Sequence, residues 1–305
     1  MKKTKIAQSV PENLPITVSH PDKVFWPEEG YTKLDLVEYY NAIFPHLSPF
    51  VNDRMLSLER CPDGMQGECF FQKQKPESIP PETPTKRIAH ADNSGKSTDY
   101  VVGGLLITQL ALANLGCIAV HVMASRANSP RQPDWVCFDI DPESGEFEDA
   151  ARAGLRVKAG LDLLKLVSFA KTSGSRGLHV LVPIRAGPDA NDVLAFARSF
   201  VARVAAAHPD ELTVEHSITA RRGRVYLDPF RNGFGQTVVA PYSVRRRKKA
   251  PISTPLHWSE VKPTLIPSDF NMGNFAKLLK RANPWSDFFK TPQTLKDAAR
   301  LLRML

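Results

Sequence analysis

Between residues 134 and 228 strand-like and helix-like segments alternate, and this alternation restricts the possible folds more than any other feature of the chain. WVCFDID reads as a buried strand, and EFEDAARAGLRVKAGLDLLKL has the spacing of an amphipathic helix. LHVLVPI is a strand entered through the turn SGSRG, NDVLAFARSFVARVAAA a second helix, and GRVYLDP a further strand. Upstream, TKLDLVEYYNAIFPHL carries apolar residues at Leu34, Val37, Tyr40 and Phe44, with Thr32 and Asp35 as a capping pair. MLSLER and ECFFQKQ predict two strands joined by CPDGMQG, whose Pro-Asp-Gly core is a turn signal. DYVVGGLLITQLALANLG begins extended and becomes a buried helix ending at Gly116, and CIAVHVMAS follows as a strand. Strand pairs followed by alternation predict an α/β chain of α+β type with mixed sheets. Two subdomains meet near residue 130 in this reading, and short helices punctuated by prolines close the chain.

A hydrophobic content of 42% with 24% charged residues fits a globular protein, and the net charge of +8 favours a polyanionic partner. A merely basic protein carries the same charge. No segment approaches the roughly 20 apolar residues that span a bilayer, and MKKTKIAQSV lacks the apolar run of a signal peptide. Cys61, Cys69, Cys117 and Cys137 form no zinc-like spacing and read as free buried thiols. The expectation is a cytoplasmic protein in a reducing compartment.

Alternation puts Val136, Phe138 and Ile140 on one face of their strand and Cys137, Asp139 and Asp141 on the other. Two carboxylates about 7 Å apart along a strand repel when both are charged and dry. A divalent cation relieves that repulsion, and hard oxygen ligands suit Mg²⁺ or Mn²⁺. A strand end at which both acids reach water is the plain alternative. Asp228 ends GRVYLD; if its strand neighbours the first, three carboxylates converge and can hold two metals about 3.5–4 Å apart. Taken alone, Asp228 also reads as a solvated residue before Pro229. In KTSGSRGLHVLVP, Gly174 and Gly177 allow a turn whose amides approach an anion, with Ser173, Ser175 and Arg176 as further donors. His179 points away from the packing face of Leu178, Val180 and Val182 and can donate to a phosphate oxygen. An ordinary hairpin uses the same turn residues.

In this order the three pieces resemble the archaeo-eukaryotic primase superfamily, and more closely the polymerase domain of bacterial DNA ligase D. HPDKVFWPEEGYTKLDLVEYY, CPDGMQGECFFQKQ, WVCFDIDP, TSGSRGLHVLVPI and YLDPFRNGFGQTVVAPYSVR are all similar to stretches of that domain, in its order. The resemblance implies a primase-polymerase fold, with two β-sheet subdomains flanked by helices around a central catalytic cleft. Residues 1–305 would form one such domain. A 5′-phosphate and template part would cover about 16–130, a catalytic part 131–250, and C-terminal helices 251–305.

The resemblance also implies an activity. The chain would be a template-dependent DNA/RNA polymerase that adds nucleotides, preferably ribonucleotides, to primer 3′ ends at gaps or double-strand breaks in non-homologous end joining. Asp139, Asp141 and Asp228 would hold two Mn²⁺ or Mg²⁺ ions. Ser173, Arg176, His179 and Arg245 would bind the triphosphate of an NTP or dNTP, and His121 would stand near its sugar. Lys23 and Lys33 would grip the 5′-phosphate of gapped or broken DNA, and Phe70 and Phe71 would stack on the template base. Arg221, Arg222 and Asn232 would make further nucleotide or nucleic-acid contacts. In the run Arg245–Lys249 only Arg245 belongs to the motif, and the other four also fit a solvated loop. The length suggests a stand-alone or excised polymerase acting with Ku and a separate DNA ligase, near the nucleoid and away from membranes. A primase that starts chains de novo and a non-catalytic DNA-end-binding module are the alternatives.

Overall fold

The computed structural model describes residues 14–90 and 95–304. In chain order the strands begin with β1 (Val24–Trp26), β2 (Tyr31–Thr32), β3 (Arg54–Arg60), β4 (Phe70–Gln72), β5 (Thr85–Ala89), β6 (Ser97–Val101) and β7 (Cys117–Arg126). They continue with β8 (Trp135–Asp141), β9 (Phe169–Thr172), β10 (Leu178–Pro183), β11 (Leu212–Thr213), β12 (Val225–Asp228), β13 (Val238–Val239) and β14 (Pro255–Leu256). The α-helices are α1 (Lys33–Val51), α2 (Leu106–Asn114), α3 (Phe147–Leu163), α4 (Ala190–Ala207), α5 (Ile218–Arg221), α6 (Ala276–Lys280) and α7 (Leu295–Met304). The chain is α+β with mixed sheets, as the segment pattern predicts. It divides into two compact units, one comprising the chain up to Val122 with Val239–Ser253 and Ser268–Arg281, the other the remainder. Among the described residues no helix is long and apolar enough to cross a membrane.

In the first unit α1 starts where the capping pair predicts. The Thr32 side chain accepts from the Asp35 amide, and the Asp35 carboxylate takes the Thr32 amide. The helix then buries Leu36, Val37, Tyr39, Tyr40, Ile43 and Leu47 along one stripe. The Tyr39 and Tyr40 hydroxyls donate to the carbonyls of Tyr242 and Ile118, both at 2.6 Å, so two aromatic rings are buried with their polar ends satisfied. β3 and β4 pair antiparallel in the sheet β13-β7-β3-β4, with Arg60 opposite Phe70.

That register corrects the cysteine reading. Continued by one residue it sets Cys61 opposite Cys69, and the two form a disulfide across the connecting turn; Cys117 and Cys137 are free and buried. A separation of eight residues shows nothing until the strands on either side are known to pair. The basic run is also tied down. Arg246 Nε lies 3.2 Å from Glu59 Oε1 and Lys248 Nζ 2.8 Å from Glu28, while the Arg247 carbonyl accepts from the Trp26 indole.

In the second unit six strands form a sheet in the order β11-β12-β8-β10-β9-β14, with β8 antiparallel to both neighbours. Phe138 packs on Phe200 of α4, ring centroids 4.9 Å apart. Helix α3 approaches so closely at Gly154 that a Cβ there would lie 2.3 Å from Leu178 Cδ2. Trp285 and Phe288 stack at 4.9 Å beside Phe169, and the Trp285 indole donates to the Ala170 carbonyl, which ties the C-terminal segment to β9.

Candidate active site

Four polar side chains form one row across the second sheet. Asp228 on β12 stands opposite Asp139 on β8, Asp139 opposite His179 on β10, and His179 opposite Lys171 on β9. Directly opposed residues share a face, so the row follows from register alone. Asp141, two residues along β8, lies opposite Tyr226 on the same face and is exposed at the strand end. The expected neighbour relation between the DxD strand and the Asp228 strand therefore holds.

Cations meet every carboxylate. Arg231 Nε lies 3.1 Å from Asp139 Oδ2 and 3.3 Å from Asp228 Oδ2. His179 Nε2 is 3.2 Å from Asp139 Oδ1, and Lys171 Nζ is 2.8 Å from His179 Nδ1. Arg221 Nη1 reaches Asp141 Oδ2 at 3.4 Å while its guanidinium covers the Tyr226 ring at 4.3 Å. The Phe230 amide donates to Asp228 Oδ1 at 2.7 Å. Burial pushes the Asp139 carboxyl up, but His179 and Arg231 outweigh it and hold this acid well below the usual carboxylate range. Asp228 goes the other way, raised by burial and further by the charge of Asp139, against the Phe230 amide and Arg231. Two facing acids with diverging affinities for a proton are a candidate reaction centre.

Among the described residues no three His, Cys, Asp or Glu side chains are grouped so as to hold a metal, and the carboxylates are instead met by Arg221 and Arg231. The fit to a divalent cation rests on Arg231 Nε: one cationic nitrogen already collects carboxylate oxygens from two neighbouring strands. Oxygen donors of this kind suit a hard divalent ion.

Beside the row, the Ser173 hydroxyl oxygen accepts from the amides of Ser175 and Gly177 at 3.2 and 3.1 Å, which closes the SGSRG turn. A Cβ on Gly177 would sit 2.4 Å from the Ile140 carbonyl, so only glycine passes this strand so closely. Arg176 is exposed with its guanidinium against Gly145. Arg221 is buried and donates to the carbonyls of Glu215 and His216, whereas Arg222 is exposed in a left-handed conformation at φ 53°. Asn232 departs from the expectation of a ligand contact. It is buried, with Oδ1 accepting from the Cys137 amide and Nδ2 donating to the carbonyls of Cys137 and Pro229, so it clamps β8 from within.

In the first unit Lys33 Nζ donates to Ser19 Oγ and the Asn114 carbonyl, and burial followed by the nearby Lys23 charge lowers its pKa. Lys23 pairs with Asp63. Phe70 and Phe71 are 41% and 61% exposed, so neither ring serves the core. His121 meets Phe71 edge-on at 5.2 Å, and the Arg60 guanidinium lies over Phe70 at 5.4 Å. Arg245 is half-buried in the same unit, its amide bonded to the Pro251 carbonyl. Sequence reasoning passed over Lys171 and Arg231. Lys171 was detectable as a lysine in a strand beside His179, and Arg231 as a cation three residues beyond Asp228.

The model of the LigD primase-polymerase domain family matches residues 32–285. The chain is 29% identical over 293 residues to the Bifunctional non-homologous end joining protein LigD of Bacillus subtilis, covering 94% of this chain and 46% of that protein. To the Multifunctional non-homologous end joining DNA repair protein LigD of Mycobacterium tuberculosis it is 30% identical over 259 residues, or 81% of this chain and 33% of that one. The chain thus spans less than half the length of these relatives. Among solved structures it resembles the polymerase domain from Mycobacterium tuberculosis ligase D in complex with DNA, with a TM-score of 0.81 and 25% identity over 91% of this chain and 99% of that one. With the match running through both units and through every strand of the carboxylate row, this chain belongs to the LigD primase-polymerase domain family.

Proposed function

We propose that this chain is a template-dependent nucleotidyltransferase that extends primer 3′ ends at gaps and breaks carrying a 5′-phosphate, with ribonucleotides preferred. The observation that carries the reading is the pair Asp139 and Asp228, directly opposed on neighbouring strands and already sharing one cationic nitrogen. Two divalent ions, Mn²⁺ or Mg²⁺, held by Asp139, Asp141 and Asp228 would make the 3′-hydroxyl a better nucleophile and offset charge on the departing pyrophosphate. The chain's own part is to bind and orient. The SGSRG turn, Arg176 and His179 supply donors for the triphosphate. Arg221 and Arg222 serve the nucleotide or the nucleic acid.

Lys23 and Lys33, beside the N-terminus of α1, would take the 5′-phosphate through their ammonium groups. The exposed Phe70 and Phe71 offer a template base a stacking platform. Non-homologous end joining with Ku and a DNA ligase is the setting we assign, in line with the names of the relatives. The test is primer extension on a gapped duplex with a 5′-phosphate, Mn²⁺ and ribonucleotides. Extension by the wild type, and its loss in Asp139→Ala/Asp141→Ala, is expected. End binding with no incorporation under either metal would instead identify a binding module, and synthesis on an unprimed strand a primase.

A further inference from the structure

We propose that the Cys61–Cys69 disulfide is a redox-sensitive tether for the aromatic pair Phe70 and Phe71, so that its reduction weakens the hold on a template strand. The proposal rests on reading the pair as a template platform. β4 is a three-residue strand at the edge of its sheet, paired with β3 through Phe70, Phe71 and Gln72. Its two rings are 41% and 61% exposed, so their burial does little to keep the strand on the sheet. A short edge element with few buried apolar contacts opens readily unless something else holds it. Fastenings stand at both of its ends. Beyond β4, Gln74 bridges to Tyr100, and its side-chain oxygen accepts from the Asp99 amide at 2.9 Å. Before β4, the disulfide joins Cys69, the residue next to Phe70, to Cys61, the residue next to Arg60.

The two halves of the connecting turn are held unequally. The half that leaves Cys61 is fixed by the main chain: the Cys61 amide donates to the Gly116 carbonyl at 2.8 Å, the Gly64 amide to Cys61 at 3.0 Å and the Met65 amide to Phe25 at 2.9 Å. A Cβ on Gly64 would sit 2.9 Å from the Val24 carbonyl, so this half lies directly on β1. Asp63, the partner of Lys23, belongs to it. Glu68 and Cys69 have no regular structure, and the sulfur bond ties them back. Cys61 is 0% exposed and Cys69 half-buried, so a reducing thiolate approaches through Cys69. A dithiol supplies the two electrons. One of its thiolates attacks Cys69 Sγ, the bond to Cys61 breaks, and Cys61 leaves and takes up a proton. The second thiol then closes on the first sulfur, which frees Cys69 as a thiol and leaves the reagent as a cyclic disulfide. Opening the bond thus loosens the approach to β4 and leaves Lys23, Asp63 and the main-chain bonds beneath them in place. Where thiols are kept reduced, a disulfide is usually transient and redox-sensing.

The experiment compares the oxidised whole chain with the same protein in excess dithiothreitol, the two states confirmed by two and four thiols after unfolding. Fluorescence anisotropy without nucleotide measures binding to two labelled duplexes with a 5′-phosphate, one blunt and one carrying a single-stranded template overhang. Reduction is expected to weaken binding to the overhang by about fivefold, a part of what stacking on an aromatic platform contributes per base. The blunt end is expected to change far less. Cys61→Ser/Cys69→Ser should bind as the reduced protein does with or without the dithiol, and Phe70→Ala/Phe71→Ala should lose the redox response. Hydrogen exchange at Phe70–Gln72 should quicken on reduction while α1 keeps its protection. An unchanged overhang affinity, an equal loss on the blunt end, a response that survives in Phe70→Ala/Phe71→Ala, or unchanged exchange in β4 overturns the proposal. The wild-type comparison decides even if a variant does not fold. Exchange and anisotropy need no incorporation, so a wild type that fails to extend primers would sink the polymerase reading and leave this test standing.

Discussion

Replacing Arg231 by Met isolates the competition between a guanidinium and a metal ion for the same carboxylates. Arg231 Nε contacts Asp139 at 3.1 Å and Asp228 at 3.3 Å, and its side chain is 41% exposed. Two unit charges about 4 Å apart attract by roughly 4 kcal/mol at an effective dielectric of 20. Exposed pairs retain about 0–1 kcal/mol, and breaking a buried pair costs about 3–5 kcal/mol. A guanidinium shared by two acids but open to water falls between these limits, at about 1–2 kcal/mol. Metal-free Arg231→Met should be less stable than wild type by that amount. A cation entering between Asp139 and Asp228 no longer has to displace the guanidinium, so Mn²⁺ should bind about tenfold more tightly, 1.4 kcal/mol being a factor of ten. Calorimetric titration with Mn²⁺ at pH 8, without nucleotide, measures this directly and keeps proton uptake at Asp228 small. Unchanged or weaker Mn²⁺ binding, or a metal-free variant more stable than wild type, would refute the idea that Arg231 stands in for a metal.

Other expectations follow from the same contacts. Asp139 is held below its ordinary pKa, so its stabilising contribution is complete above about pH 4, the unfolded value, and is lost as pH falls through the folded one. Metal-free Asp139→Asn should therefore be less stable than wild type at pH 7, with the gap closing under acid denaturation. Asp228 has the opposite sign, because its raised pKa makes ionisation a cost in the folded state as pH rises. Phe71→Ala removes a 61% exposed ring and should leave thermal stability nearly unchanged. It should weaken binding to a DNA end with a single-stranded template by about 1–3 kcal/mol, read by fluorescence anisotropy. Cys117 and Cys137 are buried, and burial raises both thiols, so a thiol reagent should find no reactive group in the native protein. It should find two in the unfolded protein and four after reduction, and four without reduction would exclude the Cys61–Cys69 disulfide.

What could be read from the sequence was what depends on local periodicity. Thr32 and Asp35 mark the start of α1 because a capping box is complete within four residues. Asp139 and Asp141 share a face because strand parity needs only the strand itself. The meeting of Asp139 with Asp228 was conditional on β12 lying beside β8, a long-range pairing that the segment order does not fix. Lys171 and the disulfide were missed for the same reason: each is defined by what lies across from it, whereas Arg231 stands three residues beyond Asp228 and its spacing alone pointed to the pair. Asn232 stood in the right stretch but turns inward, because its amide satisfies the β8 main chain at Cys137. Phe70 and Phe71, two adjacent rings on a short strand, are both left outside the core, as a stacking role requires.

The placement of the reactive acids on separate antiparallel strands also sets a ruler. Asp139 and Asp228 are separated by the distance between hydrogen-bonded strands, about 4.8 Å, a length fixed by the backbone and indifferent to the side chains around it. Helix α3 seats against this sheet at Gly154, where a Cβ would meet Leu178, so packing changes behind the sheet reach it on the face opposite the acids. Under the proposed two-ion reading, tuning for one ion over another would come from rotamers and from the arginines at the rim. The backbone gauge itself would be shared by any variant that keeps β12 beside β8.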